Sequence, residues 1–165
     1  MSNRAEFIKI IQQNSGIIYK ASSLYTNNLQ DKEDLTQEII YQLWKSFDSF
    51  QNNSNINTWI YRVAMNVAIH YFKKSKKSVQ TIPLNHLNID SSNTENEEEQ
   101  ERWDKIKRQI ENLNLLERGI ILLYLEGKSY REIAEITGIT ESNVGTKMQR
   151  IKVKLKDRIS KSKES

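Results

Sequence analysis

The sequence predicts an all-α protein: two small helical domains, residues 1–77 and 102–165, joined by a flexible acidic linker, residues 78–101. Three observations predict it. One proline and five glycines in 165 residues leave few helix breakers in the chain. Apolar residues recur at steps of three and four, the spacing of helices rather than strands. Charge is segregated as well: residues 1–77 carry ten basic and six acidic residues, 78–101 six acidic and no basic ones, and 102–165 fifteen basic and nine acidic. Two basic blocks around an acidic strip fit two polyanion-binding units joined by a segment that avoids polyanions.

Composition also excludes several classes. Without cysteine there is neither a disulfide framework nor a thiolate metal site. His70 and His86 are the two histidines, and neither has metal-ligand spacing to carboxylates. No HExxH, P-loop, G-x-S-x-G or G-x-G-x-x-G motif occurs. No catalytic residue, cofactor or metal is therefore expected. Met1–Ser15 is amphipathic rather than a signal peptide, and no apolar run approaches a membrane span. A cytoplasmic protein with no membrane insertion is expected.

Two modest helices come first, Arg4–Asn14 and Ile17–Leu29, broken near Asn14-Ser15-Gly16. Next, Asp31–Phe47 begins with Asp31 as cap and with Glu33 and Asp34 at the positive end of the helix dipole. Its apolar residues Leu35, Ile39, Ile40, Leu43, Trp44 and Phe47 cover more than one stripe. That width fits burial on two sides of the bundle or sharing with a partner. Its other face shows Asp34, Gln37, Glu38, Tyr41 and Gln42. After a polar, asparagine-rich loop over Asp48–Asn57, Asn57 or Thr58 starts a long helix running to Lys77. Ile60, Val63, Ala64, Val67 and Tyr71 form its packing stripe, and Arg62, Asn66, His70, Lys73 and Lys74 lie roughly opposite. Trp59, Tyr61 and Phe72 add aromatics beside them, a combination suited to single-stranded nucleic acid. Taken one at a time, those aromatics read better as core.

Ser78–Glu101, with Pro83 and the run NTENEEEQE, has linker composition. Its 24 residues extend to about 80 Å, which spans about 20 base pairs, roughly 70 Å of duplex. Trp103–Leu113 and Leu115–Glu126 follow as helices that cradle the last unit, with Leu115, Leu116, Ile120, Leu123 and Tyr124 inward. Ser129–Lys152 is that unit. Ser129 with Glu132 makes a capping box, Gly138 a left-handed stop, and Thr140 the next cap. Val144, Met148, Ile151 and Leu155 form one stripe. The opposite face bears Ser142, Asn143, Thr146, Lys147, Gln149 and Arg150, and Lys147–Lys163 holds eight basic residues against Asp157 alone. This is a helix-turn-helix pattern whose second helix carries groups able to read base edges in the major groove. A helical hairpin with a solvated polar face would share the stripe without needing cap, glycine, cap and basic face together.

With both halves laid out, the chain resembles a bacterial sigma factor of the extracytoplasmic-function (ECF) group of the sigma-70 family. DKEDLTQEIIYQLWKSFDSF is similar to the family's region 2.2, NTWIYRVAMNVAIHYFKK to regions 2.3–2.4, and LLERGIILLYLEGKSYREIAEITGITESNVGTKMQRIKVKL to region 4. The resemblance covers nearly the whole length, with no region 1.1 or region 3, as in the ECF group. It implies core RNA polymerase as partner, through its clamp coiled coil and its flap, together with promoter DNA and an anti-sigma factor. Asp34, Gln37, Glu38, Tyr41, Gln42 and Trp44 would dock on the clamp. Asn55, Asn57, Tyr61, Arg62, Asn66, His70, Lys73 and Lys74 would capture the −10 non-template strand with a base flipped out. Arg131, Ser142, Asn143, Thr146, Lys147, Gln149, Arg150 and Lys154 would bind the −35 duplex.

Three positions depart from the family pattern. Gly145 stands where a basic residue is usual, on the face assigned to DNA, His70 replaces a common aspartate, and Leu116 replaces the proline of L-P-E-R. A free-standing helix-turn-helix regulator that works without polymerase is the competing class. It would leave the aromatic, basic helix beside an acidic, partner-like helix without a role. A pure interaction scaffold would leave the basic recognition face unexplained.

Overall fold

A computed structural model of the chain describes residues 3–50, 55–75 and 97–164, with backbone alone for Ser75 and 159–164. These residues form eight helices and no strand: α1 (Asn3–Gln13), α2 (Ser15–Leu24), α3 (Leu29–Phe47), α4 (Ile56–Ser75), α5 (Glu97–Ile110), α6 (Leu115–Leu125), α7 (Tyr130–Thr137) and α8 (Glu141–Glu164). The all-α prediction holds. The chain divides into two units, Met1–Asp90 and Ser91–Ser165.

In the first unit α2 and α3 pack against each other and against α4, while α1 lies on α3. Phe7, Ile11, Ile18, Ala21, Leu24, Leu35, Ile39, Leu43, Ile60 and Ala64 make the core. Local chemistry moves several expected boundaries. The second helix ends at Leu24 rather than Leu29, where Thr26 Oγ1 turns back to donate to the Ser22 carbonyl at 2.8 Å. Asn28, not Asp31, caps α3: its side chain accepts from the Asp31 amide at 2.8 Å, which leaves Asp31 inside the first turn. Asn55 plays the same part for α4, its Oδ1 accepting from the Asn57 amide at 2.9 Å, so the helix starts earlier than predicted. The α4 stripe is rotated as well. Trp59, Ile60, Tyr61, Ala64, Met65 and Ala68 are buried, whereas Val63 and Val67 are half-buried.

In the second unit α6, α7 and α8 pack on one another and α5 closes against α8. Helix α5 begins at Glu97, so Glu97–Glu101, the last residues of the predicted linker, are helical. Glu97, Glu98 and Glu99 at its N-terminus complement the dipole. The rest of that linker, residues 78–96, lies outside the described residues, as does the centre of the asparagine-rich loop, residues 51–54. Asn114 opens α6 through a capping box with Glu117, which sets the helix start without the family's proline. Ile120, Ile121, Leu122 and Leu123 are buried, but Tyr124, expected inward, is 40% exposed. It sits in the last turn, where α6 leaves the core for the turn at Gly127.

The predicted helix-turn-helix chemistry is present throughout. Ser129 Oγ accepts from the Glu132 amide and Glu132 Oε1 from the Ser129 amide, both at 3.1 Å. Gly138 has φ +82°, a conformation costly for a residue with a Cβ. Thr140 Oγ1 accepts from the Asn143 amide at 3.1 Å. Val144, Met148 and Ile151 are wholly buried and Leu155 half-buried.

Candidate nucleic-acid interface

Helix α3 presents a continuous outer stripe at steps of three and four: Asp34, Gln37, Glu38, Tyr41, Trp44 and Lys45. Tyr41 is 53% exposed and Trp44 43%, large values for rings of this size. Neither is loose. Trp44 rests on Phe7 with ring centroids 5.0 Å apart, and Lys45 Nζ lies over the Tyr41 ring at 5.7 Å. Glu38 Oε1 accepts from Gln42 Nε2 at 3.1 Å, one turn away. Partial burial, then Asp31 and Glu33, raise the Asp34 carboxyl above its ordinary value. The face thus combines exposed aromatics with an Asp34 carboxylate that a cationic partner surface would favour.

Helix α4 carries the basic stripe. Asn66, His70, Lys73 and Lys74 are exposed and Arg62 is half-buried beside them. Tyr61 belongs elsewhere. At 3% exposure it faces the core, so it cannot stack on a base as expected. Trp59 is buried too, stacked on Phe50 with centroids 4.7 Å apart. Burial of these rings follows from the rotated packing stripe, since aromatic area stabilises most when removed from water. Asn57 is half-buried in the first turn, and Asn55 is exposed with its side chain committed to the cap. Tyr71 reaches back toward the start of α3. Burial, then Asp31 and Asp34, push its hydroxyl up to about 12, so it stays neutral there.

In the second unit Ser142, Asn143, Thr146, Gln149 and Arg150 are exposed on α8, and Lys147 is half-buried. Thr146 Oγ1 donates to the Ser142 carbonyl at 3.2 Å. Arg131 on α7 is 82% exposed, with Glu135 3.9 Å away. The early turns of α8 therefore offer hydroxyl, amide and guanidinium groups on one open face, as groove reading requires.

Two expected members of that face are engaged elsewhere. Gly145 looks toward α7: a Cβ built on it would meet the Tyr130 ring at 3.8 Å. Lys154 is held by Glu117, with Nζ 2.9 Å from both carboxylate oxygens. Its ammonium is thereby paired within the unit, although the side chain stays 52% exposed, an engagement that the sequence assignment of Lys154 to the duplex did not include. The Asn114-x-x-Glu117 spacing is a capping signal that the sequence reading passed over. Its link to a lysine 37 residues away leaves no such local signal. Among the described residues no group of acidic, histidine or cysteine side chains could hold a metal ion, and no helix is long and apolar enough to cross a membrane.

Residues 10–78 match the family model for sigma-70 region 2, and residues 103–155 that for sigma-70, region 4. The ECF RNA polymerase sigma-E factor of Escherichia coli K12 is 31% identical over 81% of this chain and 75% of its own. The RNA polymerase sigma factor YlaC of Bacillus subtilis is 28% identical over 84% of this chain and 83% of its own. Among solved structures, CnrH in complex with the cytosolic domain of CnrY superposes with TM-score 0.70 at 16% identity, covering 96% of this chain and 90% of that one. Sigma factor RpoE of Bartonella quintana, in complex with the anti-sigma factor NepR, gives TM-score 0.65 at 19% identity, covering 95% and 96%.

Proposed function

Since the chain belongs to the sigma-70 family of RNA polymerase sigma factors, in its ECF group, we propose that it joins core RNA polymerase, directs it to particular promoters and starts transcription there by opening the −10 element. It works in the cytoplasm as an initiation factor and is not itself a catalyst. The α3 stripe of Asp34, Gln37, Glu38, Tyr41 and Trp44 docks on the polymerase clamp. Arg62, Asn66, His70, Lys73 and Lys74 on α4 take the separated −10 strand. Hydrogen-bonding and cationic contacts there offset the few kcal/mol that flipping out a base costs. Arg131 and the open face of α8 hold and read the −35 duplex. Residues 78–101 join the two units as a linker, although Glu97–Glu101 are helical.

One observation carries the choice of a polymerase subunit over a free-standing regulator. Tyr41 and Trp44 stand exposed on α3 beside the partly buried Asp34 carboxylate, a surface that duplex DNA would not cover and a protein partner would. An anti-sigma factor is a fitting further partner, because two solved relatives of the same fold are complexes, one with a named anti-sigma factor. The test is run-off transcription from genomic fragments by core polymerase, with and without the chain. New, defined transcripts that require the chain are expected. Specific duplex binding in the absence of polymerase, with no transcript in its presence, would favour the regulator instead.

A further inference from the structure

The basic tail of α8 is not uniform. Lys154 Nζ sits 2.9 Å from both Oε1 and Oε2 of Glu117, whose side chain is 5% exposed. Glu117 Oε1 also accepts from the Asn114 amide at 3.1 Å, so the carboxylate joins the turn between α5 and α6 to the middle of α8. The next residue braces the same turn. Arg118 Nε donates to the Leu113 carbonyl at 3.0 Å and Nη2 to the Glu111 carbonyl at 2.6 Å. One turn beyond Lys154, Arg158 Nη2 lies 3.6 Å from Glu111 Oε1. The α5–α6 turn thus grips α8 at two positions on one side of the helix.

Such a grip does what the apolar stripe cannot. Packing of Val144, Met148 and Ile151 is non-directional and leaves a helix some freedom to rock. A lysine shared by both oxygens of a buried carboxylate is directional, and leaving that carboxylate unpaired is costly. Leverage amplifies the effect. Asn143 lies eleven residues before Lys154, about 16 Å along the axis. A tilt of roughly 5° about Lys154 moves Asn143 by about 1.4 Å, enough to break a hydrogen bond whose useful range is about 2.7–3.2 Å.

We propose that Glu117 and Lys154 are positioning residues for promoter reading: their ion pair sets the angle at which α8 enters the groove, so −35 selectivity depends on a pair that touches no DNA. The inference rests on the reading of α8 as the helix that enters the duplex.

The experiment uses holoenzyme assembled from core polymerase and the full chain. The wild type first selects its preferred upstream sequence from randomised promoter duplexes. Binding to that sequence and to single-base variants of it is then measured over a range of salt. Lys154→Met keeps the stem without the charge, and Glu117→Gln keeps an acceptor for the Asn114 amide without the carboxylate. Both are expected to lower discrimination among −35 sequences by about tenfold, on the scale of one base-edge contact, while the salt slope stays that of wild type. Lys154→Arg, which keeps the pair, should retain selectivity. A salt slope reduced by about 0.9 in Lys154→Met, with discrimination unchanged, would make Lys154 a phosphate contact and overturn the proposal. Should Glu117→Gln fail to fold, the Lys154→Met and Lys154→Arg contrast decides alone, and equal selectivity in those two also overturns it. A wild-type holoenzyme with no upstream preference would instead remove α8 from reading altogether, and the inference with it.

Discussion

Replacing Gly145 with alanine should stabilise the second unit without harming promoter recognition. Gly145 is the fifth residue of α8, well inside the helix, where glycine is about 1 kcal/mol less favourable than alanine. The added methyl has room. Its nearest neighbours are Tyr130 Cε2 at 3.8 Å and Cδ2 at 3.9 Å, ordinary van der Waals distances. Contact with that ring contributes further apolar burial, at most about 0.8 kcal/mol for one carbon. A gain of about 1–1.5 kcal/mol follows, and 1 kcal/mol raises the midpoint by roughly 4–8 °C in a domain of this size. Scanning calorimetry on the full chain would separate the transition of the second unit from that of the first. Because the methyl points toward α7, promoter affinity of the holoenzyme should stay within about twofold. Had the glycine been needed for close approach of backbone to DNA, alanine would weaken binding by about tenfold or more, equivalent to about 1.4 kcal/mol. A lowered midpoint, or an unchanged fold with that loss of affinity, would refute the reasoning.

Three further outcomes are expected. The double change Asp34→Lys and Glu38→Lys should leave helix content unaltered, since both carboxylates are half-buried at the surface of α3 and neither lies in the core, yet abolish most capture of core polymerase in a pull-down by setting like charges together; undiminished capture would remove α3 from the docking surface. Arg62→Ala should slow open-complex formation on duplex promoters more than on templates already mismatched across the −10 element, while the Asn66→Ala defect should persist on both; identical defects of the two variants on both templates would point to general binding rather than melting. Ser129→Ala should cost about 1 kcal/mol as a lost cap and also change the acid dependence of unfolding. The backbone and side-chain hydrogen bonds with Ser129 hold the Glu132 carboxyl below its ordinary value. Its contribution is therefore present above the unfolded carboxyl value and fades as pH falls through the lower folded value. The gap between wild type and variant should narrow without closing as pH falls through that range, because the variant keeps the backbone amide at position 129 and the lost Ser129 Oγ cap does not titrate; a gap that stays constant with pH would contradict this.

The helix-turn-helix, encoded within a turn or two of chain, was legible in the sequence. The capping box at Ser129 and Glu132, the left-handed Gly138, the Thr140 cap and the Val144–Met148–Ile151 stripe depend on neighbours three or four residues apart. Spacing alone specifies such features, because a helix repeats every 3.6 residues. The open face of α8 follows from the same periodicity. Short-range competition already strained that legibility: Asn28 and Asp31 could each cap α3, and Asn55 and Asn57 could each begin α4. Only the fold chose, through which side chain met an amide.

Tertiary structure alone decided how the long-range partners met. Nothing in the spacing of α4 places Tyr61 in the core while Arg62 and Asn66 look outward, because both sides of that helix carry apolar and aromatic groups. The packing of α2 and α3 against it selects the buried side. In the same way the sequence lists eight basic residues over Lys147–Lys163 as one tail. Folding pairs Lys154 within the unit, because a carboxylate buried at the start of α6 requires a cation, and α8 brings that ammonium to 2.9 Å from it. A local pattern reveals which groups a helix offers; the packing of distant segments determines which of them remain available to a partner.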